Sequence, residues 1–225
     1  MTTGLAIFVK TPGLSPVKTR LGAEIGTEAA VTFHRMAAEA VAGVARAAGA
    51  ALAPAWAVAE PEAIGHPAWA GLPCLLQGEG GLGERMARVY AALLARHGSA
   101  ILVGADSPQM TPALLAEAAA AVSAGGEPYA IGPSEDGGFW LFGGRAAVPE
   151  AVWTDVAYSR DDTAERFLAA LGAPVARLPR LFDADTAAEL AAVRDALAAL
   201  DAPVPEQAAL LRWLRGLPLR PVRAR

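Results

Sequence analysis

The chain has 225 residues, of which 54% are hydrophobic, which allows one large α/β domain and is marginal for two. A net charge of −4 and a sequence pI of about 5.4 argue against non-specific nucleic-acid binding by the whole chain. The one cysteine, Cys74, excludes an intrachain disulfide and a cysteine-based zinc cluster.

Two further absences bear on location. The N-terminal segment has neither the basic region nor the long apolar run of a signal peptide. No stretch of about 18 uninterrupted apolar residues predicts a transmembrane helix. We therefore expect a cytoplasmic protein without a membrane span.

Strand-like and helix-like segments alternate along the chain. The first half is predicted to contain strands at 5–9, 55–59, 74–77 and 100–105, and helices at 27–48 and 83–96. The second half is predicted to contain strands at 129–132, 139–142 and 174–178, and helices at 111–124, 161–171, 186–200 and 206–214. Such alternation is typical of a mostly parallel sheet covered by helices. The prediction is one domain over 1–225, with its core at about 5–200 and a C-terminal helix and basic tail at 201–225.

The loop after the first strand is rich in positive charge and contains Lys10, Lys18 and Arg20. It resembles a P-loop only superficially, because Val17 stands where the second glycine of that motif is needed. Valine is β-branched and resists the tight backbone curl that points N–H groups at a phosphate. We therefore expect lysine and arginine side chains to bind the phosphate.

Acidic residues follow three other predicted strands: Asp106, then Glu135 with Asp136, then Asp183 with Asp185. Ligands of open parallel α/β sheets bind beyond the carboxyl ends of the strands, so these acids and the cations of the first loop are expected to meet there. This combination suits a di- or triphosphate bridged by Mg²⁺ or Mn²⁺, with Asp106, Asp183 and Asp185 as metal ligands. Each group is also compatible with an ordinary solvated loop or turn.

A glycine-rich segment, Q-G-E-G-G-L-G-E-R-M, lies between a predicted strand and a predicted helix. Glycine allows the backbone to approach a ligand closely, and the helix presents its N-terminus there. Residues predicted to contact the nucleotide are, besides the three cations of the first loop, Gly80, Gly83, Arg85, Gly137 and Gly138.

Five motifs in order resemble one bacterial family: F-V-K…P…V-K-T-R-L, G-G-L-G-E-R-M, V-G-A-D-S-P, G-P-S-E-D-G-G-F-W-L and D-A-D-T. The family is that of rSAM/selenodomain-associated transferases, in the nucleotide-diphospho-sugar transferase (GT-A) superfamily. The resemblance implies a GT-A fold, a Rossmann-like α/β/α sandwich that binds a nucleotide. It also implies that Asp106 is the metal-binding aspartate of that superfamily, and that Lys10, Lys18 and Arg20 lie in its N-terminal phosphate-binding loop.

The chain departs from the family pattern at three places. Gly81 replaces an acid in G-G-L-G, Phe139 replaces a tyrosine, and Trp153-Thr154-Asp155 keeps only part of a Trp-Ser-Thr motif. These differences concern nucleotide and acceptor preference more than the fold.

Three functions are compatible with these residues. In the first, a sugar moves from a nucleotide-sugar to a small-molecule acceptor, with Asp136 as general base and Glu135 as second candidate. In the second, an NTP and a phosphorylated acceptor release pyrophosphate, because V-K-T-R-L is also similar to the start of 2-phospho-lactate guanylyltransferases. In the third, the domain binds a nucleotide or partner protein without catalysis. The nucleobase, sugar, acceptor and oligomeric state stay open.

Overall fold

Seven strands form one sheet in the computed structural model of the chain, which describes residues 2–123 and 126–217. The strands are β1 (Thr3–Val9), β2 (Leu52–Val58), β3 (Cys74–Leu76), β4 (Ala100–Gly104), β5 (Tyr129–Pro133), β6 (Phe139–Gly144) and β7 (Val175–Arg177). Their order is β3-β2-β1-β4-β6-β5-β7; β6 is antiparallel to both neighbours and all other pairs are parallel. The predicted α/β class with a mostly parallel Rossmann-like sheet is confirmed.

Both faces of the central strands are buried, which explains their continuous apolar sequences. In β1, Leu5, Ile7 and Val9 belong to the hydrophobic core on one face of the sheet. Ala6 belongs to the core on the other face. Successive strand side chains point to opposite faces, so a strand covered on both sides needs apolar residues at every position.

Across residues 2–123 and 126–217, eight α-helices surround the sheet: α1 (Thr19–Ile25), α2 (Thr27–Ala47), α3 (Leu82–His97), α4 (Pro112–Ala121), α5 (Glu150–Thr154), α6 (Thr163–Leu171), α7 (Ala187–Ala198) and α8 (Pro205–Arg215). Helices α2 and α4 cover one face, and α3, α5 and α6 cover the other. Helices α1, α7 and α8 pack against the outer side of α2 in a third cluster. None of the helices in the described residues is long and apolar enough to cross a membrane.

Two helix starts were predicted from the sequence and are confirmed. The hydroxyl of Thr111 accepts a hydrogen bond from the Leu114 N–H and begins α4. At α7, the Thr186 hydroxyl accepts from the Glu189 N–H, while Glu189 accepts from the Thr186 N–H, which completes the predicted capping box.

Helices α1 and α5 were not among the predicted elements. Helix α1 has seven residues and begins at Lys18 without a side-chain cap, so its sequence lacks the usual start signal. It is stabilised instead by the buried Leu21, which packs in the same cluster as Phe33 of α2. The cap of α2 is Gly26 rather than Thr27.

Several strands end at the same edge of the sheet, so the loops that follow them are neighbours. Strand register aligns Val9 of β1 with Val58 of β2, and Phe8 with Gly104 of β4. Because β6 runs antiparallel, its first residue, Phe139, starts at the same edge. The loops that follow β1, β4, β5 and β7 therefore lie together, as the sequence predicted. The three C-terminal arginines of the predicted tail at 220–225 lie outside the described residues.

Candidate functional site

A cavity of about 630 Å³ opens at this edge of the sheet. It is bordered by the first loop, the end of β4, the start of β6 and the N-terminus of α3. Six of the residues predicted for the site line it: Lys10, Lys18, Gly80, Arg85, Asp106 and Asp185. The cavity therefore combines cations from two segments with carboxylates from two others.

Lys18 occupies the centre of the charged groups. Its side chain is only 5% exposed, and its Nζ lies 3.1 Å from Asp106 Oδ1 and 2.9 Å from Asp185 Oδ1. Burial by itself lowers the pKa of Lys18, but attraction to the two carboxylates and the hydrogen bond to Asp185 outweigh burial, so the pKa is raised and the ammonium is charged. Residues 88 and 167 positions away from Lys18 thus meet at one ammonium group.

The backbone of Lys18 is in the left-handed region, with φ 45° and ψ 43°. This conformation costs a non-glycine residue about 1–3 kcal/mol and persists where surrounding contacts impose it. Here it starts α1 and directs the side chain inward to the two carboxylates.

Asp106 has one carboxylate oxygen that is only partly satisfied. Its Oδ1 is buried and accepts no hydrogen bond in the described residues, although Lys18 Nζ is 3.1 Å away. The hydrogen bond of Lys18 goes to Asp185 instead. A buried carboxylate oxygen without a hydrogen bond is costly, so Asp106 has capacity for a further cationic or donor group.

The carboxylate of Asp183 is destabilised where it lies. Burial, followed by the negative charges of Asp136 and Asp185, raises the pKa of Asp183 to about 6, although Lys18 lowers it in part. The segment that contains Asp183 is tied to the end of β5, because the Leu181 N–H donates to the Pro133 carbonyl at 3.1 Å. It is also tied to the Asp106 loop: Gln109 Nε2 donates to the Phe182 carbonyl at 2.6 Å.

Arg20 is placed differently from the prediction. It lies in the first turn of α1 rather than in a loop, and its side chain is 72% exposed and does not line the cavity. Its Nη1 lies 3.6 Å from Asp185 Oδ2, so it contacts the site through that carboxylate.

The acidic turn between β5 and β6 lies beside the cavity. Glu135 and Asp136 are exposed and do not line it, and Asp136 Oδ1 accepts a hydrogen bond from the Gly138 N–H at 2.9 Å. Gly137 has φ +88°, and a Cβ there would lie 2.0 Å from the Asp161 carbonyl oxygen. The turn geometry and packing thus account for Gly137 without a ligand.

Gly80 and Gly83 also differ in role. Gly80 lines the cavity with φ +97°, and its carbonyl accepts a hydrogen bond from Arg85 Nε at 2.9 Å. Gly83 is buried outside the cavity, where a Cβ would lie 2.1 Å from the Trp153 carbonyl oxygen. The structure therefore gives Gly83 a packing role between α3 and α5.

The sequence analysis missed the residues that hold the first loop. The buried Glu60 accepts the Thr11 N–H with both carboxylate oxygens, at 3.0 and 3.2 Å. Burial raises the pKa of Glu60, but hydrogen bonds from Ser15 and Thr11 outweigh burial and lower it overall. Trp69 Nε1 donates to the Thr11 hydroxyl at 2.9 Å. A single acid after the second strand gave no signal of this contact.

Two other polar residues of the cavity wall were also missed. His34 Nε2 lies 2.9 Å from the Lys10 carbonyl oxygen, and Gln77 Nε2 donates to the carbonyls of Val9 and Ala57. Both side chains therefore contact backbone groups of the cavity wall.

The acids fit a divalent ion only in part. Within residues 2–123 and 126–217, no group of three or more His, Cys, Asp or Glu side chains could hold a metal ion. The predicted ligands Asp106, Asp183 and Asp185 therefore do not form a complete protein cage. Mg²⁺ commonly binds to one or two carboxylates and completes its shell with phosphate and water. The unsatisfied oxygen of Asp106 and the raised pKa of Asp183 fit a site of that kind.

Comparisons with known proteins identify the family. The sequence model described as "Uncharacterized protein conserved in bacteria (DUF2064)" matches residues 35–160, and the chain belongs to this family. No curated protein matches it in sequence.

Solved structures resemble the chain more extensively. A "putative nucleotide-diphospho-sugar transferase" from Desulfovibrio desulfuricans G20 is 25% identical, with TM-score 0.77 over 95% of this chain and 99% of that one. A CMP:2-keto-3-deoxy-manno-octonic acid synthetase complexed with CTP is 12% identical, with TM-score 0.53 over 88% and 99%. Rv0371c from Mycobacterium tuberculosis H37Rv is 17% identical, with TM-score 0.52 over 83% and 94%. The last two structures resemble this chain in fold alone.

The raised pKa of Asp183 predicts a pH-dependent effect of Asp183→Asn. The pKa of Asp183 is about 6 in the folded chain and about 4 in the unfolded chain. Between these two values the folded chain binds more protons, so the contribution of this carboxyl group to stability decreases as the pH rises from about 4 to about 6. Above about pH 6 the contribution stays low. Asn cannot ionise. We expect Asp183→Asn to raise the Tm at pH 8 by about 2–4 °C, allowing for solvent screening, with the gain disappearing towards pH 4. Thermal unfolding from pH 4 to 8 measures this, with the exposed Asp201→Asn as control; a gain independent of pH would contradict it.

The packing of Gly83 predicts a loss of stability in Gly83→Ala. The added methyl group would overlap the Trp153 carbonyl, and overpacking of this kind costs about 1–3 kcal/mol. Gly104→Ala is the matched control, because its Cβ would be 4.0 Å from the nearest atom. Urea unfolding of both variants tests the difference. Unchanged stability with lost nucleotide binding would instead support the predicted binding role.

Proposed function

We propose that the chain is a metal-dependent transferase that moves a sugar from a nucleotide-sugar to a small-molecule acceptor. The observation that supports this most is the meeting of Lys18 with Asp106 and Asp185 on the wall of the 630 Å³ cavity. A metal-bound diphosphate needs cations for its oxygens and carboxylates for its metal at the same place. The likeness to the Desulfovibrio desulfuricans protein supports the same class.

In this proposal each charged residue has a defined task. Lys10, Lys18 and Arg85 bind the phosphates from the cavity wall, and Arg20 supports Asp185 from outside. Asp106, with Asp183 or Asp185, would hold Mg²⁺ or Mn²⁺, which when bound stabilises the negative charge of the leaving diphosphate. Of Gly80, Gly83, Gly137 and Gly138, we retain only Gly80 as a residue next to the nucleotide, since it lines the cavity.

The acceptor is proposed to bind between the cavity and the acidic turn. Phe139 and Trp140 line the cavity on the side of that turn, and Asp136 lies two positions before Gly138, whose N–H it accepts. Asp136, or Glu135 beside it, then takes the proton of the acceptor hydroxyl as the glycosyl bond forms. The exposure of both carboxylates lets an acceptor reach them from solvent.

Nucleotidyl transfer is the second candidate. Lys10 and Arg85 add two positive charges to the cavity wall, and neither is ion-paired within the described residues. Such charges suit the third phosphate of an NTP. The fold shared with the CTP-bound synthetase is compatible with this reaction.

The metal site is tested by ligand-induced stabilisation. We expect a nucleoside diphosphate, NDP-sugar or NTP to raise the Tm of the wild type only when Mg²⁺ or Mn²⁺ is present. Asp106→Asn should lose this metal-dependent shift, because its amide is a poor ligand for a hard cation. Asp201→Asn serves as the control of equal charge change. An undiminished shift in Asp106→Asn would remove the centre of the proposed site.

The products decide between the two reactions, and the general base is tested in the same assay. Release of a nucleoside diphosphate supports glycosyl transfer, whereas release of pyrophosphate supports nucleotidyl transfer.

With the active donor, Asp136→Asn should lower kcat by about 10²–10⁴-fold with little change in KM. Glu135→Gln, measured in parallel, shows whether its neighbour is the base. Asp161→Asn, on the adjacent loop, is the control; an equal loss there would contradict the assignment.

A further inference from the structure

Lys18 is buried more deeply than the carboxylates that it binds. Its side chain is 5% exposed, whereas those of Asp106 and Asp185 are 42% and 37% exposed. The ammonium thus lies behind the two acids as seen from solvent, and both acids line the cavity. A cation that approaches from the cavity meets two carboxylates whose charge Lys18 already balances in part.

The same geometry makes the ammonium a competitor for the ligand atoms. Asp185 Oδ1 accepts the hydrogen bond of Lys18, and the buried Asp106 Oδ1 lies 3.1 Å from Nζ. A divalent ion bound to either oxygen would stand within a few ångströms of a charged ammonium. Repulsion between such close charges is worth kilocalories in a partly buried site, so the two cations exclude each other.

The segment that carries Lys18 has open space beside it. A second cavity of about 450 Å³, lined by the first loop, α1 and α2, shares Pro16, Val17 and Lys18 with the first cavity. The ammonium is held by its two carboxylates, while the left-handed backbone at Lys18 costs free energy. A polyphosphate bound in the first cavity would compete with these carboxylates for the ammonium.

We propose that Lys18 is the resident counter-ion of the Asp106–Asp185 pair, and that a divalent ion enters only together with a phosphate group that draws the ammonium off these carboxylates. The site therefore takes a cation–polyphosphate complex as one unit, instead of binding the metal first. This inference rests on the proposed function, because it concerns the same cavity. It adds an order of binding and a second task for Lys18.

The exchange has a thermodynamic consequence. If a polyphosphate removes the competing ammonium, it increases the affinity for the metal, and the metal increases the affinity for the polyphosphate by the same factor. Neutralising Lys18 removes the competition, because the carboxylates are then free for the ion at all times, and leaves only the coupling that comes from direct contact between phosphate and metal. The coupling is measurable without knowing the substrate.

The test compares Mn²⁺ binding in three proteins by equilibrium dialysis at fixed free Mn²⁺. Lys18→Met keeps the length of the side chain and removes its charge. Arg194→Met also removes a positive charge, at an arginine that pairs with Asp195 and does not line the cavity. Without polyphosphate, we expect Lys18→Met to bind Mn²⁺ about 10–100-fold more tightly than the wild type. Arg194→Met should change the affinity by less than about threefold.

Inorganic pyrophosphate supplies the second comparison. It should tighten Mn²⁺ binding to the wild type by about tenfold or more, and should tighten it less in Lys18→Met, where only the direct contact of pyrophosphate with the metal remains. The proposal is overturned if Lys18→Met binds Mn²⁺ no better than the wild type in the absence of pyrophosphate, or if pyrophosphate tightens Mn²⁺ binding equally in the two proteins. If Lys18→Met does not fold by circular dichroism, Lys18→Gln, which removes the same charge, takes its place in both comparisons.

These outcomes are separable from failure of the proposed function. If the chain transfers neither sugar nor nucleotide, yet binds Mn²⁺ more tightly after Lys18→Met, the counter-ion exchange is supported and the proposed reaction is contradicted. If the chain is an active transferase but Lys18→Met shows no gain in Mn²⁺ affinity, the proposed reaction is supported and the counter-ion exchange is contradicted.

Discussion

The organisation of the site depends on one buried ammonium group. Lys18 Nζ bridges Asp106, which follows β4, and Asp185, which precedes α7, and both carboxylates line the cavity. Without this charge, the two acids would repel each other in a partly buried environment. Removing one member of these ion pairs would leave a buried charge without a counter-charge. The pairing of Lys18 with the two acids therefore holds three segments of the chain together: the first loop, the loop after β4 and the segment before α7.

Polar side chains away from the cavity hold these segments in place. Glu60 fixes the first loop by accepting the Thr11 N–H, and Gln109 joins the Asp106 loop to the carbonyl of Phe182. From α8, the buried Gln207 donates to the carbonyls of Pro108 and Met110. Each of these side chains satisfies backbone groups that would otherwise be buried without a partner. The charged groups therefore meet on a scaffold whose loops are fixed from behind.

The fold leaves open which reaction the site performs, because the same sheet and edge serve several chemistries. Membership in the DUF2064 family and the likeness to the Desulfovibrio desulfuricans structure place the chain among proteins of this architecture. The proposal of transfer depends instead on the charges: cations and carboxylates line one cavity, and one carboxylate oxygen of Asp106 lacks a hydrogen bond. The counter-ion proposal follows from the same atoms and concerns the order in which ligands bind.

The sequence by itself determined the alternation of strands and helices, the caps at Thr111 and Thr186, and the gathering of charged loops at one edge. These features depend on local periodicity and on the rule that parallel strands end together. Only the tertiary structure decided that Lys18 is paired with two acids, that Arg20 lies on α1, that Gly83 serves packing, and that Glu60 anchors the first loop. The reason is physical: these contacts join residues far apart in the chain, and their energy depends on distance and burial, which no local pattern encodes.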